Sequence, residues 1–157
     1  MNDQDKSNLK RKILTAGIQK HQLVIEDFRQ RIKEMMETDG NVNEEEYDSN
    51  VQSQKSETTD KVSLLSDQLR FTDLELGELN NVKSSIDRIH AVVEFGTVVI
   101  TDTIAFFVSA SIEQFSINGK PIFGLSVKSP LYASMKGKRV GDFFKYGTTT
   151  YRIEEIF

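Results

Sequence analysis

Two hydrophobic rhythms divide the chain. In its first half Leu14, Ile18, His21, Ile25, Phe28, Ile32 and Met35 recur at alternating steps of four and three. That spacing keeps one stripe turned toward a partner helix, and it predicts a helix over residues 7–37 with Ser7 as its N-cap. A second stripe runs Val62, Leu65, Leu69, Thr72, Leu76, Leu79, Val82, Ile86, Ile89 and Val93. Two successive steps of three at Leu76, Leu79 and Val82 should overwind that helix locally. Between the stripes, residues 37–50 hold Gly and Asn turn formers and no apolar period. Helices joined by one short polar turn run antiparallel, so the first 93 residues read as a coiled-coil α-hairpin with its tip at 39–48. The first arm spans roughly 46 Å at 1.5 Å per residue. So thin an element buries little core, and reach explains its shape better than stability does.

From residue 94 the rhythm changes to that of strands. Residues 95–101, 104–110, 122–127, 140–146 and 149–156 are rich in Val, Ile, Phe, Tyr and Thr, and Gly, Asn, Asp or Pro separate them. Ser129-Pro130 followed by Gly137 describes a short capped helix, with Leu131 and Met135 four apart to pack on a sheet. The pattern predicts an α+β chain: the hairpin over 1–93, then a small β-rich domain over 94–157, a half-open barrel packed on a helix.

Charge sharpens the division. Of the net −4, residues 1–93 carry −5 (13 Lys/Arg, 18 Asp/Glu) and residues 94–157 carry +1 (7 and 6). That balance argues against coating of nucleic acid, which needs a basic surface. The chain of 157 residues has no cysteine, which removes disulfides, thiolate metal sites and cysteine nucleophiles. Stand-alone acyl-condensing chemistry is excluded with them. No apolar run nears the roughly 20 residues that span a bilayer, so a soluble, cytoplasmic protein without a membrane partner is the economical reading.

The densest chemistry lies at the tip. Glu37, Asp39, Glu44, Glu45, Glu46 and Asp48 fall within twelve residues that hold no base. Such acids suit the N-terminus of a following helix, whose dipole favours anions. They also suit delivery into a partner's basic or metal-bearing cavity, since Mg²⁺ prefers carboxylates, water and phosphate oxygens. His21 on the seam reads as a packed residue, because the other histidine, His90, is remote in sequence.

An acidic-tipped hairpin followed by a small β-rich domain resembles the bacterial Gre family of transcript-cleavage factors. The likeness rests on V-E-F-G-T-V-V at 93–99, similar to that family's domain-opening strand, and on S-P-L-Y-A-S-M-K-G-K-R-V-G-D at 129–142, similar to its S-P…G-K-x-x-G-D signature. The resemblance implies an FKBP-like second domain and a hairpin entering the secondary channel of RNA polymerase. There a tip Asp and Glu help hold the catalytic Mg²⁺ while backtracked RNA is cleaved. The family's tip typically reads G-D-L-x-E-N-A-E-Y; here residues 40–47 read G-N-V-N-E-E-E-Y, one residue shorter. Glu44 thus matches the functional Glu, Tyr47 the tip tyrosine, and Asn41 stands where the family has Asp. Asp39 is the nearest substitute. Asparagine offers a carbonyl oxygen but no charge, and so stabilises Mg²⁺ less.

These matches make Glu44, Asn41 and Asp39 the candidates acting in trans, with Glu44 and Asp39 as ligands only of polymerase-bound Mg²⁺. Tyr47, Ser129, Pro130, Lys138 and Asp142 become candidate docking residues. The expected factor is a monomer without a cofactor of its own, which binds bacterial RNA polymerase and meets nascent RNA indirectly. Three alternatives stand beside it. One is an inhibitory channel binder without cleavage activity, and another a coiled-coil dimerisation module. The third is a prolyl isomerase, whose pocket Phe106, Phe107, Phe123, Phe143 and Phe144 would line if they did not form the core.

Overall fold

The computed structural model describes the backbone of residues 1–40 and 49–157, and the side chains of 1–38 and 55–157. The layout is α+β: two long helices forming a helical hairpin, then a six-stranded sheet with one short helix. Helix α1 is Asp3–Gly40 and α2 is Ser49–Val82. The predicted N-cap is corrected. Asn2, not Ser7, caps α1, its side chain accepting the Asp5 N–H at 2.8 Å, and Asp3 and Asp5 in the first turn suit the helix dipole. The chain forms two compact units, residues 21–74 and residues 1–20 with 75–157.

Among the described residues of the unit 21–74, the buried positions all fall on the heptad stripes. His21, Ile25 and Thr72 are buried; Phe28, Ile32, Met35, Val62, Leu65 and Leu69 are half-buried between exposed neighbours. Thr72 tolerates the seam because its hydroxyl donates to the Gln68 carbonyl at 2.9 Å. Arg31, Glu34 and Met35 of α1 share one groove with Thr58 and Lys61 of α2, so the helices lie side by side.

The second unit is built on six strands: β1 Val98–Thr101, β2 Ala105–Ser109, β3 Ile112–Ile117, β4 Lys120–Ser126, β5 Phe143–Tyr146 and β6 Thr149–Ile156, with α3, Pro130–Met135, between β4 and β5. Their order across the sheet is β3-β4-β2-β1-β6-β5, and only the β2–β4 pair is parallel. The six strands form one open sheet, with β3 and β5 at its edges. Strand β3 was not expected, because a register shift between Ile112 and Phe115 breaks its alternation.

Both faces of this sheet are covered. Ile13 and Leu14 of α1 and Leu79 and Val82 of α2 pack with Val98, Ile100, Phe107 and Phe157 on one face. Tyr132 and Met135 of α3 pack with Val99, Phe106, Val108, Phe144 and Ile153 on the other. Every residue of β1 and β2 is therefore buried, and their sequences run apolar without alternation. Gly17 brings α1 close, since a Cβ there would stand 2.8 Å from Ile112 Cδ1.

The spacing leaves open whether the second helix continues from Leu79 to Val93 or bends at Asn80-Asn81, and the structure ends it early. Helix α2 ends at Val82, a 3-10 turn covers Lys83–Ser85, and Ile86, Ile89 and Val93 are not helical. Val82 belongs to the helix-side cluster and Val93 to the α3-side cluster, so the chain must pass from one face of the sheet to the other. Packing overrides the heptad.

A polar cluster fills the space beside that passage. Lys10 is 1% exposed and donates from Nζ to the Arg88 carbonyl at 3.1 Å. Arg11 holds Asp87 through Nη2, 2.7 and 2.6 Å from the two carboxylate oxygens, and through Nε at 3.1 Å. Glu94 accepts His90 Nδ1 at 2.6 Å and Arg88 Nη2 at 3.2 Å. Burial pushes Lys10 down to about 8, against the pull of Asp87 and Glu94 and with the push of Arg88. Burial also lowers His90, aided by the Lys10 and Arg88 charges and opposed by Glu94. Hydrogen bonding to His90 holds Glu94 below the usual carboxylate range, and Arg11 does the same for Asp87.

Two outcomes follow from this packing. A lysine whose folded pKa is depressed binds its proton less tightly in the folded chain than in the unfolded one. Its contribution is present above 10.5 and is lost as pH falls toward about 8. The stability of the wild type relative to Lys10→Met should therefore rise by about 2–3 kcal/mol across that window, measured by urea denaturation; parallel curves would contradict the burial of a charged Lys10. Gly124→Ala would place its Cβ 2.5 Å from the Ala110 carbonyl oxygen and 2.4 Å from Ile112 Cγ1. It should cost about 2–3 kcal/mol in the same assay, as overpacking against backbone does.

Candidate docking surface

The tip candidates fall outside what the structure describes: Asn41, Glu44 and Tyr47 lie in 41–48, and of Asp39 only its place in α1 is described. Among the described residues no group of three or more His, Asp or Glu side chains is placed to hold a metal ion. The geometry in hand concerns the other candidates, Ser129, Pro130, Lys138 and Asp142.

All four sit on one continuous segment whose folding their own chemistry explains. Ser129 is the N-cap of α3: its backbone is extended and its Oγ accepts the Tyr132 N–H at 3.1 Å. Pro130 fills the first helical turn, where a missing N–H costs nothing. After α3 the chain reverses twice, at Gly137 with φ 75° and Gly141 with φ 92°, conformations that penalise any Cβ. Across the second turn the Asp142 carboxylate accepts the Arg139 N–H at 2.8 Å. The backbone around Asp142 then ties to β6, Gly141 N donating to the Ile153 carbonyl and Ile153 N to the Asp142 carbonyl. Spacing of Gly, Lys, Gly and Asp thus serves a double turn.

The structure also joins the two stretches on which the family resemblance rests. Val93 N donates to the Lys138 carbonyl, and Gly137 N donates to the Val93 carbonyl, both at 2.9 Å. Residues 93–97 are accordingly a tied-down turn, and β1 begins at Val98 rather than at residue 95. Within that turn the Glu94 N–H reaches Thr97 Oγ1 at 3.1 Å. The Glu94 charge also bears on α3: burial first, and then that carboxylate, push the Tyr132 phenol upward.

Most polar groups of the segment are therefore spent on its own fold. At the surface it presents, among others, Pro130, Lys136, Arg139, Val140 and Asp142, with Lys138 half-exposed. Of the five phenylalanines weighed as a pocket lining, Phe106, Phe107 and Phe144 are buried in the two clusters and Phe123 packs against one of them. Phe143 is 59% exposed. Sequence reasoning missed the Val93 link and the buried Lys10. A helical lysine reads as solvent-facing, and only its place one turn before Leu14, beside Ile13, hinted at burial.

No helix among the described residues is long and apolar enough to cross a membrane. No family model and no curated protein matches the chain. Among solved structures it is similar to the transcription factor Gfh1, at 18% identity and a TM-score of 0.32, over 90% of this chain and 93% of that one. So loose a superposition leaves the functional reading to rest on this chain's own residues.

Proposed function

We propose that the protein is a Gre-like regulator of bacterial RNA polymerase, an auxiliary factor and not an enzyme. In this reading an FKBP-like sheet domain docks at the secondary channel, and the acidic segment 39–48 meets the active-site Mg²⁺. The observation that carries it is the direct hydrogen bonding of residue 93 to residues 137 and 138. The two stretches that resemble the Gre domain form one structural element, and Pro130, Lys138 and Asp142 lie on it. The partner is the polymerase, contact with nascent RNA is indirect, and the factor acts as a monomer in the cytoplasm.

Asn41 favours the inhibitory form of this mechanism over transcript cleavage. A carboxylate pair can share an Mg²⁺ with substrate phosphates, whereas Glu44 with Asn41 supplies one charge fewer, and Asp39 lies two residues away from that position. Dimerisation through the heptad stripes is disfavoured, since His21, Ile25 and Thr72 are already buried within one chain. The experiment is a backtracked elongation complex with and without the protein. Slowed RNA synthesis with unchanged cleavage is the expected result, reduced about tenfold in potency by Glu44→Gln, because one carboxylate near Mg²⁺ is worth about 1–2 kcal/mol. Failure to bind polymerase, together with a stable dimer in sedimentation, would overturn the proposal.

A further inference from the structure

The two edges of the sheet are treated differently. The β3 edge is guarded: the Lys20 ammonium donates to the Gln114 carbonyl at 3.1 Å and the Glu113 carbonyl at 3.4 Å, and Glu75 accepts the Ser111 N–H at 2.9 Å. A register irregularity bends that strand as well. Among the described residues the β5 edge has no side chain capping its backbone, and only its shortness and Lys145 discourage pairing. Its four residues pair with β6 alone, and three of them are exposed, Phe143 at 59% and Tyr146 at 47% among them.

Backbone direction settles what this edge offers. Asp142 faces β6, because its carbonyl accepts the Ile153 N–H. Antiparallel pairing alternates, so Phe144 and Tyr146 also turn their backbone groups toward β6, and Phe143 and Lys145 turn theirs outward. The side chains divide the other way. Phe144 packs in the α3-side cluster, which puts Tyr146 on the same face and Phe143 and Lys145 on the opposite one. Two exposed aromatics therefore straddle the edge, one on each face. That arrangement suits an added strand whose own side chains alternate between faces. It does not suit stacked bases, which need aromatic planes on one surface.

Charge narrows the occupant. Residues 136–152 hold Lys136, Lys138, Arg139, Lys145 and Arg152 against Asp142, whose carboxylate is engaged by the Arg139 N–H; Glu154 further along β6 and Asp102, which accepts the Arg152 N–H, reduce this basic excess without reversing it. Arg152 stands opposite Phe143 in the β5–β6 register. We infer that the β5 edge is a docking site for an extended peptide segment of a partner protein with alternating acidic and apolar residues, which adds to the sheet as a seventh strand beside Phe143 and Lys145. The inference does not rest on the polymerase reading, and its test contains no polymerase.

The probes are two short capped peptides, one alternating Glu and Val and one alternating Lys and Val, titrated into the full chain and followed by amide NMR. The acidic peptide should shift and protect from exchange the amides of Phe143 and Lys145, with weaker binding at high salt, while the basic peptide leaves them unchanged. Phe143→Thr should weaken binding about fivefold through the lost cross-strand contact. Lys145→Glu should reverse the preference between the peptides. Should Phe143→Thr fail to fold, amide protection in the wild type decides alone. Equal response to both peptides, shifts at β3 or the helices instead, displacement of the acidic peptide by oligothymidylate, or pairing of two copies through β5 would each overturn the inference.

Discussion

Everything in the sheet unit depends on burying β1 and β2 from both faces at once. Neither strand alternates, so neither offers a face that water tolerates. One face is closed by α3, a helix of six residues that its own Ser-Pro cap and the double glycine turn hold in place. The other is closed by the opening turns of α1 and the last turns of α2, through Ile13, Leu14, Leu79 and Val82. These helical ends are therefore part of the sheet's core. The buried Lys10 is a consequence: a helix seated that deeply carries its polar face inward too, and Lys10 must end on the Arg88 carbonyl.

The same constraint separates what the sequence makes legible from what it hides. Both heptad stripes can be read directly, because a helix in a two-helix pair is patterned by a single neighbour, and among the described residues Leu14, His21, Ile25, Thr72 and Leu79 are buried on them. The helix of Ser129-Pro130 is legible for a local reason, since cap and proline act within one turn. What fails is the pattern that depends on distant parts of the chain. Ile86, Ile89 and Val93 keep heptad phase yet leave the helix, because Val93 is needed on the far face of the sheet. Strand β3 hides behind its irregular register, and Lys10 behind its charge. The tip was legible as chemistry and lies outside the described residues.

For function, the segment 129–142 has a double character. Its Ser, Pro, Gly and Asp are explained by capping and turning, and that alone would make it a structural motif. Its hydrogen bonds to Val93 also tie it to the turn that leads into β1. Lys138, Arg139 and Val140 of this segment lead directly into β5, the four-residue strand at one edge of the sheet. The acidic segment 39–48 supplies a second, chemically opposite feature on the same chain.

Native-state hydrogen exchange tests the central physical claim, that the helix ends belong to the sheet's core. Amides of residues 13–18 and 79–82 should open with the same free energy as those of β1 and β2, whereas amides of residues 25–35 and 62–72 open at a lower one. If residues 13–18 exchange instead together with 25–35, independently of β1 and β2, then α1 is one autonomous helix and the account of the core is wrong.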